Sequence, residues 1–168
     1  MTRKPILINT HEFIKQSLEI HGKIRASQIM AIQDSLYASA DEGEVSYTLS
    51  GDNSHRGKPS LKLDLAGQVT LCCQRCLGEM HYPLVSSTWF EVVADESAIP
   101  ELDEDDDVDY IVASTQFDVE ALVEEELLLS LPLAPRHEEG ACVGDVSIMT
   151  GQKQNPFKVS EGLKKPVS

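Results

Sequence analysis

Residues 60–76 read SLKLDLAGQVTLCCQRC, and this stretch determines how the rest of the chain is organised. Apolar residues occupy odd positions from Leu61 to Cys73, with mostly polar residues between them. Because successive side chains of a strand point to opposite faces, the pattern predicts a strand with one buried and one solvated face. Cys73 falls on the buried side of this strand, whereas Cys72 points the other way.

The chain turns back immediately after this strand. Residues 74–78 are predicted to form a turn, and residues 82–94 are rich in Val, Thr, Trp and Phe, which favour strands. The two strands predict a long antiparallel hairpin that carries a C-x-x-C knuckle, Cys73 and Cys76, at its tip. At this spacing, a tight turn lets two thiols converge on one point.

A second pair of candidate ligands, His137 and Cys142, follows about 60 residues later. Zinc prefers a tetrahedral cage of sulfur and imidazole nitrogen, so the sequence predicts zinc bound by Cys73, Cys76, His137 and Cys142. The cysteines can instead be ordinary buried thiols. Cys73 and Cys76 can also be a redox pair, although such a pair normally opens a helix after a strand. A disulfide framework fits least, because no secretory signal precedes the cysteines.

Outside the hairpin, apolar periodicity predicts two N-terminal helices and one later acidic amphipathic helix capped by Asp118. The predicted helices span residues 10–20, with Gly22 as the stop signal, residues 27 to about 42, and residues 119–130. Further strands are predicted over residues 44–50 and 109–113. The predicted fold class is therefore α+β, with an antiparallel sheet. We expect residues 1–145 to form a single domain and residues 146–168 to form a poorly ordered basic tail.

The chain carries a net charge of −14, and its acids are concentrated. Residues 76–135 contain 16 acidic residues and no Lys or Arg, and residues 95–109 form an acidic loop. Such a chain is not expected to wrap nucleic acid non-specifically, since that affinity comes largely from clustered Lys and Arg. The acids predict docking to a basic partner, or they only keep the protein soluble. The predicted partner-binding residues are Arg75, Asp103, Glu104, Asp105, Asp106 and Asp107.

Several classes of protein are disfavoured by what the sequence lacks. No apolar run reaches the roughly 18 residues of a membrane span, and the N-terminus does not resemble a signal peptide. We therefore expect a cytoplasmic protein with reduced thiols. The sequence has no nucleophile elbow or phosphate-binding loop, and four protein ligands would close a zinc site. We expect no enzymatic activity and no small-molecule substrate.

A family resemblance is carried by motifs spread over most of the chain. They are Leu71-x-Cys73-Gln74-Arg75-Cys76, the acidic Val123-Glu124-Glu125-Glu126-Leu127, the run Leu131-Pro132-Leu133-Ala134-Pro135-Arg136-His137, Cys142, and Asn155-Pro156-Phe157. Together they resemble the bacterial large ribosomal RNA subunit accumulation proteins, the YceD family, in which Cys72 looks like an additional cysteine. The resemblance implies a cytoplasmic, non-enzymatic protein that supports synthesis, processing or stability of 23S ribosomal RNA.

The charge distribution bears on how such a protein would reach the ribosome. We expect its partner to be a ribosomal protein or a large-subunit assembly intermediate, with ribosomal RNA contacted indirectly. An alternative from a different class is a redox-responsive thiol protein that uses Cys73 and Cys76.

Overall fold

A computed structural model describes residues 5–37, 43–101 and 108–142 of the protein. The described strands are β1 (Leu7–Ile8), β2 (Glu19–Arg25), β3 (Glu44–Asp52), β4 (Ser60–Cys72), β5 (Glu79–Val93), β6 (Asp109–Val112) and β7 (Phe117–Asp118). The α-helices are α1 (Thr10–Lys15) and α2 (Val119–Ser130), and short 3₁₀ helices cover Ala26–Gln28, Met30–Ser35, His55–Gly57 and Glu96–Ala98. None of the helices in these ranges is long and apolar enough to cross a membrane.

Five strands form one sheet in the order β2-β3-β4-β5-β6, and β1 pairs with β7 in a separate two-stranded sheet. The predicted α+β class is confirmed. The predicted antiparallel sheet is confirmed for β2 to β5, whereas β6 runs parallel to β5 and makes the sheet mixed. A parallel neighbour requires a crossover connection, and the acidic stretch between β5 and β6 is that connection.

The long strands β4 and β5 form the hairpin, paired from Ser60 opposite Glu91 to Cys72 opposite Glu79. Leu61, Leu63 and Leu65 lie on its core face and are at most 1% exposed. The opposite face of the sheet, which we call the open face, is mostly exposed or half-buried and carries polar residues, one tryptophan and three smaller apolar residues. Its exposed or half-buried residues within 62–68 of β4 and 79–89 of β5 are Lys62, Asp64, Ala66, Gln68, Glu79, His81, Pro83, Val85, Ser87 and Trp89.

Helix α2 packs against the core face of β5. Asp118 caps its N-terminus by accepting hydrogen bonds from the backbone N–H groups of Glu120 and Ala121. The buried carboxylate of Glu126 accepts hydrogen bonds from the hydroxyls of Ser86 at 2.9 Å and Thr88 at 2.6 Å. These bonds compensate the cost of removing a carboxylate from water and hold the helix in register on the sheet.

Both N-terminal helix predictions are wrong in part. Helix α1 ends at Lys15, and residues 19–25 form strand β2 because their backbone pairs with β3. Gly22, predicted to stop the helix, instead lies opposite Tyr47, whose ring atoms would come within 2.3 Å of a Cβ at that position. The strand therefore needs a glycine where the tyrosine ring crosses it.

The predicted second helix is replaced by two 3₁₀ helices, Ala26–Gln28 and Met30–Ser35. Their buried Ile29 and Ile32 pack into the core, so the apolar stripe that suggested an α-helix has a core role. Three other predicted features, the end of this helix, the acidic residues 103–107 and the tail 146–168, lie outside the described residues.

Candidate metal centre

The tip of the β4–β5 hairpin is a tight turn that positions the first pair of cysteines. The Cys73 N–H donates to the Gly78 carbonyl at 3.0 Å, and the Leu77 N–H donates to the Cys73 carbonyl at 2.8 Å. Leu77 adopts a positive φ of 56°, which completes the reversal of the chain. The turn directs Cys73 and Cys76 to the same side of the hairpin.

The second pair arrives on the extended segment that follows α2. Pro132 stops the helix, since proline cannot donate the next backbone hydrogen bond. The segment then runs along the hairpin tip, where the Gln74 N–H donates to the Pro135 carbonyl at 2.8 Å. This contact fixes the segment just before His137 and Cys142.

The two segments bring the four predicted ligands together. One ligand atom from each of Cys73, Cys76, His137 and Cys142 lies within 4.8 Å of all the others. The Cys73 and Cys142 sulfurs are 4.0 Å apart, and the Nδ1 atom of His137 lies 3.5 Å from the Cys76 sulfur and 3.8 Å from the Cys142 sulfur. Cys73 is fully buried and the other three are half-buried. Such a cluster can hold a metal ion.

The orientation of His137 is set by its second ring nitrogen. Nε2 lies 2.9 Å from the backbone carbonyl of Glu79, the first residue of β5. Because a carbonyl only accepts, Nε2 carries a proton, and in the neutral ring Nδ1 presents its lone pair to the sulfurs. A histidine that binds a metal usually donates its other N–H to a carbonyl or carboxylate in this way.

Arg75, between the paired cysteines, reaches across to the second segment. Its Nε donates to the Cys142 sulfur at 3.0 Å. One of its terminal nitrogens donates to the backbone carbonyls of His137 at 3.1 Å and Glu138 at 3.0 Å. The guanidinium thus ties the hairpin tip to the His137–Cys142 turn and places a positive charge beside a thiol.

These contacts perturb the acidity of the four groups. Hydrogen bonds from backbone N–H groups, chiefly that of Cys76, lower the pKa of Cys73 to about 5. The hydrogen bond from Arg75 lowers the pKa of Cys142, and the hydrogen bond with Cys142 raises the pKa of His137. A bond from the Gly78 N–H acts to lower the pKa of Cys76, but burial and the adjacent thiols outweigh it and raise that pKa. Two thiols thus favour the thiolate form that binds metals.

The additional cysteine, Cys72, lies apart from this cluster. Cys72 is on the other side of the strand, with its sulfur 3.8 Å from the Leu77 carbonyl. Asp103, Glu104, Asp105, Asp106 and Asp107 lie outside the described residues, so their docking role stays a prediction.

Sequence reasoning missed two contacts, those of Arg75 with Cys142 and of the Glu79 carbonyl with His137. The position of Arg75 inside C-x-x-C was the available signal for the first. The second needed the hairpin register, which places Glu79 opposite Cys72.

Comparison with known proteins gives the chain its family. No solved structure matches it significantly. The family described as Large ribosomal RNA subunit accumulation protein YceD matches residues 61–162, which is more than half of the 168 residues. The matched region contains the hairpin and all four residues of the cluster. This chain belongs to the YceD family of large ribosomal RNA subunit accumulation proteins.

Proposed function

We propose that this protein is a non-enzymatic, cytoplasmic ribosome-biogenesis factor that supports the synthesis, processing or stability of 23S ribosomal RNA. Membership of the YceD family carries the proposal, because the family is described by accumulation of the large ribosomal RNA subunit. The metal centre and the charge distribution suggest how such a factor is built.

The donor set of the metal centre suits zinc. A tetrahedral ion with bonds of about 2.3 Å to sulfur and about 2.0 Å to nitrogen separates two sulfurs by about 3.8 Å and a sulfur from the nitrogen by about 3.5 Å. Three of the observed separations are 4.0 Å between two sulfurs, and 3.5 and 3.8 Å between sulfur and nitrogen. Zinc therefore fits these three pairs with small adjustments, and every ligand atom lies within 4.8 Å of the others.

A zinc ion held by three cysteines and one histidine is structural in character, because no coordination position remains for water or substrate. The two ligand pairs come from the hairpin tip and from the segment after α2, which are joined by the hydrogen bonds of Gln74, Arg75 and His137. Bound zinc would join them and stabilise this end of the fold. Three thiolates and a divalent ion leave one negative charge, which Arg75 neutralises.

The proposed partner is a basic ribosomal protein, alone or within a large-subunit assembly intermediate. Residues 76–135 have 16 acids and no Lys or Arg to offset them. A surface of this charge attracts a basic protein and speeds the encounter, whereas it repels the RNA phosphates over most of its area. Contact with 23S RNA would then be mainly indirect.

The redox alternative is less well supported by the geometry. The Cys73 sulfur is fully buried, and it shares its surroundings with Cys142 and His137 as well as with Cys76. A redox pair needs one thiolate that an external disulfide or oxidant can reach. A four-membered cluster with a buried member is the arrangement of a closed metal site.

The experiment is complementation of cells that lack the protein. We expect loss of the protein to lower 23S relative to 16S RNA, and the tagged chain to sediment with large-subunit precursors. Cys142→Ser should fail to restore 23S RNA, whereas the matched control Cys72→Ser, outside the cluster, should restore it. Unchanged 23S levels in the deletion strain would refute the proposed function.

A further inference from the structure

A stacked pair of rings lies at the end of the open face remote from the metal centre. The His55 and Trp89 rings are parallel within 6°, with their centroids 3.7 Å apart. The Lys62 ammonium lies 5.9 Å from the centre of the Trp89 ring. Lys62 of β4 and Trp89 of β5 are directly opposite each other in the hairpin. Both rings are half-buried, and Trp89 is absent from the core cluster.

The loop that carries His55 is held in a defined conformation. Asp52, at the end of β3, accepts hydrogen bonds at 2.6 Å from both the backbone N–H and the hydroxyl of Ser54. Arg56 and Gly57 then adopt positive φ values of 50° and 70°, which produce a tight turn. His55 is therefore presented to Trp89 by the fold of the loop.

Three cations lie on the loop of His55 or beside Trp89, in a protein that is acidic overall. Arg56 and Lys58 are exposed on the same loop, and Lys62 is half-buried beside the indole. Lys58 contacts Glu91 at 2.6 Å, and Lys62 contacts Asp64 at 2.9 Å. The Lys62–Asp64 pair is partly exposed on both sides and contributes little stability, so a phosphate group can compete for Lys62 at small cost. Lys58 keeps its pair with Glu91, whose side chain is only 12% exposed.

Aromatic rings flanked by Lys and Arg on an exposed sheet face are the chemistry that recognises single-stranded nucleic acid. Unpaired bases stack on the rings, while the cations contact the phosphates on either side. We propose that His55, Trp89 and Lys62, with Arg56 and Lys58, form a binding site for single-stranded RNA in which one base joins the His55–Trp89 stack. The choice of RNA as ligand rests on the proposed function, and the site adds a short direct contact to docking through a protein.

The test uses the intrinsic fluorescence of the full-length protein, because Trp89 is its only tryptophan. Titration with a ten-residue oligouridylate at low salt should quench this fluorescence. Inorganic polyphosphate of matched charge should not, since it has no base to stack. Absence of quenching by the oligonucleotide, or equal quenching by polyphosphate, would overturn the proposal.

Variants assign the binding to particular side chains, with anisotropy of a labelled oligouridylate as the readout. Trp89→Leu and His55→Ala should each weaken binding by on the order of tenfold. Lys62→Gln should weaken it and reduce the slope of log affinity against log salt by about one. Lys23→Gln is the matched control, because Lys23 is also on the open face beside a carboxylate, Glu44, but on strand β2.

Circular dichroism of each variant checks the fold, and Lys62→Gln and His55→Ala remain informative if Trp89→Leu unfolds. Binding that is unaffected by any of the three substitutions, or that is weakened equally by Lys23→Gln, would overturn the site. If RNA binding is not detected but the chain still sediments with large-subunit precursors, only the proposed RNA site is refuted. If RNA binding is intact but loss of the protein leaves 23S RNA levels unchanged, the proposed function is refuted instead.

Discussion

Replacement of Arg75 tests whether the metal centre depends on its surroundings as the geometry indicates. Arg75→Gln removes three hydrogen bonds, one to the Cys142 sulfur and two to the carbonyls of His137 and Glu138. It also leaves the negative charge of a three-thiolate zinc site without its neighbouring cation. We expect the variant to bind zinc more weakly while the sheet stays folded.

The expected loss follows from these contacts. Hydrogen bonds to charged groups are stronger than neutral ones, and solvent screens these in part because Arg75 is exposed. Loss of a residue that supports metal ligands typically costs about 10- to 100-fold in affinity. We therefore expect zinc to bind Arg75→Gln about thirtyfold more weakly. Arg75→Lys should lose less, since it keeps the charge but cannot reach the sulfur and both carbonyls together.

Competition with a chromogenic zinc chelator at fixed pH would measure the affinity. Arg136→Gln is the matched control: Arg136 is exposed and precedes the ligand His137, but its side chain is not among the groups that contact the cluster. Wild-type affinity in Arg75→Gln, or an equal loss in Arg136→Gln, would refute the assigned role of the guanidinium.

Three further outcomes are expected. Elemental analysis of the purified, reduced protein should find about one zinc per chain, and Cys73→Ser or Cys142→Ser should remove it. If protein prepared without chelator holds no metal, the zinc site is contradicted. In metal-free protein, thiolate absorbance near 240 nm should show that Cys73 titrates at about pH 5. The folding stability that this thiolate contributes should be fully present above about pH 8.5, and it should be lost as the pH falls through about 5. Titration of all thiols above pH 8 would contradict this assignment. Association with a basic ribosomal protein should slow, more than release speeds up, when five acids are neutralised: Asp103, Glu104, Asp105, Asp106 and Asp107. Bare 23S RNA should bind the protein weakly, and the affinity should fall as salt rises. Tight, salt-resistant binding to naked RNA would contradict docking through a protein.

The parts of the fold that the sequence predicted are those in which local pattern and tertiary structure agree. The alternation from Leu61 to Cys73 has a period of two because one face of β4 is buried, and residues 119–130 combine an apolar stripe with the cap Asp118. The four residues of the metal cluster were also predictable, since the spacing within each pair, Cys73 with Cys76 and His137 with Cys142, is a local property, although the pairs lie about 60 residues apart.

The remaining features depend on pairing between distant segments. Residues 19–25 form a strand only because β3 is available as a neighbour, and Gly22 looked like a helix stop because the Tyr47 ring was not visible in the sequence. The parallel β5–β6 pair depends on a crossover whose direction no local pattern specifies. The role of Arg75 likewise depends on a segment more than 60 residues away.

The β4–β5 hairpin links the metal centre to the proposed RNA site through its register. The turn at Cys73 and Cys76 fixes Cys72 opposite Glu79, and the same register places Lys62 opposite Trp89 at the far end. A slip of one residue would exchange the two faces of a strand, burying Lys62 and exposing the leucines beside it. Because a metal ion at the tip would constrain the turn, it would disfavour every slipped pairing. The centre would thus preserve the open face at a distance, without any contact with RNA.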